Sequence, residues 1–272
     1  VTLAETVLTR AEGTSYVVTL ARAADPTAPV IVVAPAMGMK ARYYLPLIEA
    51  LAAAGVNAAV AEQRGHEANG GRIPGRRYDF GYADLVDDLG RAIDSVRAAL
   101  PGAPVHVLGH SLGGQIAAAY AGSHPGALDG LVLVAASTPH WPHWGPRLLV
   151  AGYAFPLVSR LVGHFPGAQL KFAGREARGV MRDWGVLTRT GRLVVGEQGL
   201  AGLEIPVLAV SIEGDPLGVP AAVDALAAKL PNAAVTREHL TDTGLDHFRW
   251  ARETDVIVPL LTGWLKTVGG TP

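Results

Sequence analysis

A chain of 272 residues suits one large domain, or one domain carrying an insertion. Its 23 Lys and Arg face 24 Asp and Glu for a formal charge of −1, so the basic excess expected of a nucleic-acid binder is absent. Only 17% of residues are charged and 49% are hydrophobic, which excludes a disordered chain, and the lack of cysteine excludes disulfides, thiolate catalysis and Cys-ligated metal centres.

In chain order, residues 3–9 and 15–22 are β-rich runs separated by Ala11-Glu12-Gly13-Thr14, the pattern of a hairpin. From Val30 onward, short apolar runs alternate with longer amphipathic segments. The runs lie at 30–34, 56–61, 105–108, 131–135 and 207–211, with a last strand at 234–239. Continuous apolar runs of this length suit strands buried on both faces of a mainly parallel sheet. Residues 43–54, 84–100, 115–123 and 220–230 read as helices. In the second of these, Leu85, Leu89, Ile93, Val96 and Leu100 fall on one face. This alternation predicts an α/β sheet with helices on both faces.

From Pro139 to about Leu203 the alternation stops and the residues turn Trp-, Gly- and Arg-rich. A structureless loop of about 65 residues is too long for a compact domain, so a helical insertion is predicted there. Residues 1–138 and 204–272 are then expected to form a core domain, with 139–203 as a cap. Residues 1–10 lack a basic start followed by an apolar h-region. The apolar stretch 148–165 contains Arg160, His164, Pro156 and two glycines, and is shorter than the ~20 mostly apolar residues of a spanning helix. A soluble protein with no membrane span is expected, cytoplasmic by default, a leader removed upstream of residue 1 being left open.

The strongest chemical signal is Gly109-His110-Ser111-Leu112-Gly113-Gly114. It follows one predicted strand and precedes a predicted helix, the context in which G-x-S-x-G has meaning. Glycines on either side of Ser111 allow a sharp turn without a Cβ clash, lifting the hydroxyl clear of the sheet. The helix that follows aims free N–H groups and its positive dipole end at the same point.

Here the sequence resembles the α/β-hydrolase family, through motifs spread from about residue 30 to residue 250. The resemblance implies an eight-stranded, mainly parallel sheet with helices on both faces and a helical lid insertion. It also implies a nucleophile–acid–histidine order, and the chain supplies Ser111, Asp215 and His247 in that order. Asp215 follows the strand at 207–211, with Glu213 as the alternative, and His247 follows the last strand. Ala34-Pro35-Ala36-Met37-Gly38 stands where the family commonly has His-Gly; a backbone donor does not depend on side-chain identity, so the N–H groups of Met37 and Leu112 are the expected oxyanion hole. Glu62-Gln63-Arg64-Gly65-His66 resembles the family's Asp-x-Arg-Gly turn, with Arg64 bracing loops. The Pro-Ala-Met-Gly loop, Asp183-Trp184, Thr190-Gly191-Arg192 and His247-Phe248 resemble a bacterial subgroup of predicted hydrolases.

The resemblance implies a serine hydrolase that cleaves a carboxylic ester or thioester with an apolar acyl group, through an acyl-enzyme. A lyase, cyclase or acyltransferase using the same triad is the alternative, and a non-catalytic binding protein on the same scaffold is a third reading. Trp141, Trp144 and Trp184 of the insertion are candidate substrate-binding residues, although such aromatics can equally anchor a lid. No cofactor and no metal are expected, no cluster of Asp and Glu at ligand spacing being read in the chain. The only partner expected is a small-molecule substrate, and the oligomeric state is not legible.

Overall fold

The computed structural model describes residues 2–68, 71–170 and 172–269; the outermost positions of the expected core domain, residues 1 and 270–272, lie outside them. β1 (Leu3–Thr9) and β2 (Ser15–Ala21) form the predicted hairpin, followed by β3 (Val30–Ala34). α1 (Leu45–Ala53) begins two residues later than the sequence suggests, because a 3₁₀ turn at Ala41–Tyr44 precedes it and Pro46 occupies its first turn. β4 (Asn57–Ala61), α2 (Tyr82–Ala99) and β5 (Val105–His110) follow. α3 (Leu112–Ser123) starts directly after Ser111 rather than at Gln115, taking in two glycines that propensity alone assigns to a loop.

After β6 (Gly130–Val134) the chain leaves the sheet. The segment holds α4 (Pro146–Val162), α5 (Arg178–Thr190) and the short α6 (Glu197–Leu200). It also holds a small antiparallel pair that periodicity does not reveal, β7 (Phe165–Pro166) and β8 (Arg175–Glu176), each too short to leave a pattern. β9 (Pro206–Ile212), α7 (Pro220–Ala227), β10 (Ala234–Leu240) and α8 (Ile257–Val268) complete the chain.

The eight long strands form one sheet in the order β1-β2-β4-β3-β5-β6-β9-β10, parallel from β4 to β10. β2 runs antiparallel to both its neighbours. Because side chains alternate along a strand, each buried run serves two cores. Val30, Val32, Val105, Val107, Leu131 and Leu133 pack with α2, α3 and α5 on one face. Ile31, Val33, Leu108, Val132, Val134 and Val210 pack with α1 and α8 on the other. Each such side chain taken from water contributes about 1.5–3 kcal/mol before conformational entropy is counted.

This order has one consequence for chemistry. From β3 the chain goes to β4 on one side, and only later returns to β5 on the other. The helices after β3 and β5 therefore leave on opposite faces of the sheet, α1 on one and α3 on the other. Their loops diverge at the carboxyl ends of two adjacent strands and open a crevice between them. Ala34 and Gly109, paired across that boundary, are the last partners before the two loops part.

Arg64 braces loops as its motif implies. Its Nε and Nη2 reach both oxygens of Asp88 on α2, at 2.9 and 2.7 Å, and Arg10 of the hairpin turn reaches the same carboxylate at 2.8 Å. Among the described residues no helix is long and apolar enough to cross a membrane.

Candidate active site

Ser111 sits at the start of the crevice with φ 53° and ψ −117°, a backbone conformation that costs an L-residue about 1–3 kcal/mol. The flanking glycines are steric necessities. A Cβ at Gly109 would lie 2.3 Å from Cα of Gly114, and one at Gly113 would lie 2.0 Å from the carbonyl oxygen of Ala34. The elbow is thus pressed against the end of β3, which brings the loop after β3 beside the serine.

In that loop Ala36 donates its N–H to the hydroxyl of Tyr44 at 2.9 Å, and Met39 donates to the carbonyl of Ala36. Ala36 and Met37 are not among the residues with positive φ, so alanine serves where the family commonly has glycine. Among the described residues no protein acceptor engages the N–H of Met37. Leu112 is the first residue of α3, whose opening N–H groups have no intrahelical acceptor. Both residues line the same cavity as Ser111.

The other side of the crevice comes from the far end of the sheet. Asp215 is buried in the turn after β9. Its Oδ1 accepts the N–H of Leu217 at 2.8 Å, and its Oδ2 lies 2.8 Å from Nδ1 of His247. Both carboxylate oxygens are therefore held. Glu213, the alternative acid, is exposed and accepts the N–H of Asp242 instead. His247 is buried and its carbonyl accepts the indole N–H of Trp250 at 3.1 Å. With Nδ1 committed to Asp215, Nε2 remains for the cavity that His247 lines together with Ser111.

That cavity has a volume of about 450 Å³. Gln115 and Ser137 form part of its floor, and Trp144, Leu148, Phe155 and Trp184 part of its wall. No Asp, Glu, Lys or Arg lines it among the described residues. Phe155 stacks on Trp184 with ring centroids 5.6 Å apart and planes 17° apart. Trp141, expected beside these rings, does not line the cavity. Its carbonyl accepts the N–H groups of Trp144 and Gly145, so the chain doubles back after residue 141 and carries Trp144 to the wall instead. Trp184 is joined to the sheet domain by its neighbour, since Asp183 accepts the N–H of Tyr82 at the open start of α2, at 2.9 Å.

Sequence reasoning missed three buried groups. Gln115 accepts from the hydroxyl of Tyr82 at 2.6 Å and donates to the carbonyl of Ser137; its signal was being the one amide in the apolar opening of α3. Tyr44 and Trp250 left no signal, since each reads as an ordinary apolar position. Both meet His110: the Tyr44 hydroxyl is 2.7 Å from Nδ1, and the Trp250 indole nitrogen is 3.5 Å from Nε2. Burial, and behind it the adjacent His247 ring at 5.0 Å, holds His110 well below the usual histidine range, so it stays neutral. Among the described residues no group of three His, Asp or Glu is arranged to hold a metal ion.

Residues 25–184 match the family model described as serine aminopeptidase, S33. A curated relative from Agrobacterium fabrum named "Putative carbamate hydrolase RutD" is 32% identical over 121 residues, spanning 44% of this chain and 43% of the relative. The chain thus covers less than half the length of that relative. Among solved structures, a thermostable carboxyl esterase from Bacillus coagulans superimposes with a TM-score of 0.70 at 18% identity, over 97% of this chain and 99% of that one. A thioesterase domain from the curacin biosynthetic pathway gives 0.65 at 16% identity, over 96% and 100%. Identities this low establish a shared fold.

Proposed function

The chain belongs to the α/β-hydrolase family, and from that premise we propose that it is a hydrolase that cleaves a carboxylic ester or thioester through Ser111, His247 and Asp215. The observation that carries this reading is the 2.8 Å Asp215–His247 pair opening onto the cavity that Ser111 also lines. Asp215 keeps the proton of neutral His247 on Nδ1, leaving the Nε2 lone pair to take the proton of Ser111 as its oxygen attacks the carbonyl carbon. The negative charge that develops on the carbonyl oxygen is met by the N–H groups of Met37 and Leu112. His247 then protonates the leaving alcohol or thiol. Water repeats the two proton transfers and releases the acid from Ser111.

The uncharged lining points to a neutral acyl group. An aminopeptidase substrate carries an α-ammonium, and a cation taken into this cavity would find no carboxylate beside it among the lining residues. Residues 139–203 act as a cap, with Trp144 and Trp184 against the acyl chain. The test is the turnover of p-nitrophenyl esters and labelling by a fluorophosphonate, in the wild type, Ser111→Ala and His247→Ala. The wild type should label and turn over, and Ser111→Ala should do neither. Wild-type turnover in either variant would remove that residue from the mechanism. Labelling without ester turnover would favour acyl transfer to another acceptor.

A further inference from the structure

A surface helix of a globular domain usually turns one apolar face inward and a polar face outward. α4 does not. Leu148, Ala151 and Phe155 line the cavity, yet on its outer side Val150, Tyr153, Leu157 and Leu161 are 66%, 63%, 58% and 65% exposed. Steps of three, four and four residues align these side chains as one ridge along a 17-residue helix. These four side chains line neither the cavity at Ser111 nor the hollow beside Arg64.

Among the described residues, the charged groups on α4 and hydrogen-bonded to it are arginines. α4 contains Arg147 and Arg160 and no Asp or Glu. Arg189 lies over the ring of Tyr153, its guanidinium carbon 4.7 Å from the centroid, and Arg76 donates to the carbonyl of Leu161 at 2.7 Å. Between residues 139 and 203 the chain carries eight Lys and Arg against three Asp and Glu, although the whole protein is slightly acidic.

We propose that this ridge docks on an anionic lipid surface, with Val150, Tyr153, Leu157 and Leu161 entering the headgroup boundary and the four arginines resting on lipid phosphates. An exposed apolar helix face edged by arginine suits a lipid interface, into which such a face sinks by about 5–10 Å. A second copy is disfavoured as the occupant: a symmetric pair through this ridge would bring Arg76, Arg147, Arg160 and Arg189 against the same four groups. The inference stands on the outer face of α4 and the arginines beside it, and is independent of the reaction at Ser111.

The experiment is co-sedimentation of the purified chain with phosphatidylcholine vesicles, with and without phosphatidylglycerol, at low and moderate salt. The protein should pellet with the anionic vesicles, remain in solution with the neutral ones, and lose binding as salt rises. Leu157→Glu with Leu161→Glu should weaken the partition by at least about tenfold, and Arg147→Gln with Arg160→Gln should weaken it and flatten its salt dependence. All four side chains are exposed, and matching thermal melts verify folding of each variant. A wild type that stays in the supernatant with anionic vesicles at low salt overturns the proposal. So does equal binding by the Leu157/Leu161 variant, or a dimer in size-exclusion chromatography that this variant abolishes.

Discussion

The hydroxyl of Tyr44 lies 2.7 Å from Nδ1 of His110 and accepts the N–H of Ala36 at 2.9 Å. One buried oxygen therefore ties the loop bearing Met37 to the residue before Ser111. Trp250 extends the tie, since its indole nitrogen faces both His110 and the carbonyl of His247. Tyr44→Phe removes the acceptor of Ala36 and leaves that N–H buried without a partner, a cost of about 1–3 kcal/mol. The expected result is a kcat lowered about tenfold with KM little changed, and a lower urea midpoint. Steady-state kinetics beside urea unfolding checks it; a kcat equal to wild type would separate this tie from turnover.

Asp215→Asn leaves the shape of the turn after β9 intact but permits the wrong tautomer of His247. In a comparable triad the same change lowers kcat by about 10⁴. Here a loss of about 10³–10⁴ is expected with the thermal midpoint shifted only slightly, whereas Glu213→Gln, at an exposed position, should leave kcat unaltered.

The carboxylate of Asp88 balances two buried guanidinium groups, those of Arg10 and Arg64. Asp88→Ala leaves Arg10 with Glu67 alone and Arg64 with Glu12 alone, and breaking a buried pair by removing one partner costs about 3–5 kcal/mol. Equilibrium unfolding should report a loss of that size. A change below about 1 kcal/mol would mean that Glu67 and Glu12 suffice to hold the two arginines.

Stability should also fall with acid in a defined window. His106 is buried against the edge of Trp264, and burial pushes it down to about 4 from an ordinary value of 6.5. The unfolded chain takes up this proton near pH 6.5, while the native chain refuses it until about pH 4. The stabilisation is thus complete above pH 6.5 and is lost as pH drops toward 4, amounting to about 3 kcal/mol for this residue. His110, buried and neutral, acts in the same direction. His106→Phe should flatten the decline in urea midpoint between pH 6.5 and 4 relative to wild type. An unchanged slope would assign the acid sensitivity elsewhere.

Ala151 faces the cavity from α4. Ala151→Phe fills part of that volume, so esters with long acyl chains should lose kcat/KM by about tenfold or more while acetate esters keep theirs. An ester series of increasing chain length measures this; a uniform loss would point to distortion of the cap instead.

What was legible in the sequence followed from local physics. Val30–Ala34 and Val105–His110 are buried on both faces and read as continuous apolar runs, and Ser111 between glycines announces its own turn. Asp215 and His247 were found through chain order, but their 2.8 Å contact joins positions 32 residues apart and is a property of the sheet. The start of α3 was misjudged because Gly113 and Gly114 are poor helix formers, admitted where β3 and β6 press close. Trp141 and Trp144 differ by one turn of backbone, a distinction that composition does not carry. Tyr44, Trp250 and Gln115 act through partners remote in sequence, so nothing near them betrays their task.

The positive φ of Ser111 has an implication for how this molecule trades durability against activity. A glycine there would adopt φ 53°, ψ −117° without the Cβ strain, so Ser111→Gly should melt at a higher temperature than the parent while lacking the hydroxyl that the proposed mechanism needs. Were selection for robustness ever to outrun selection for turnover, this would be among the first positions to drift, and a silent but sturdier descendant would be the outcome.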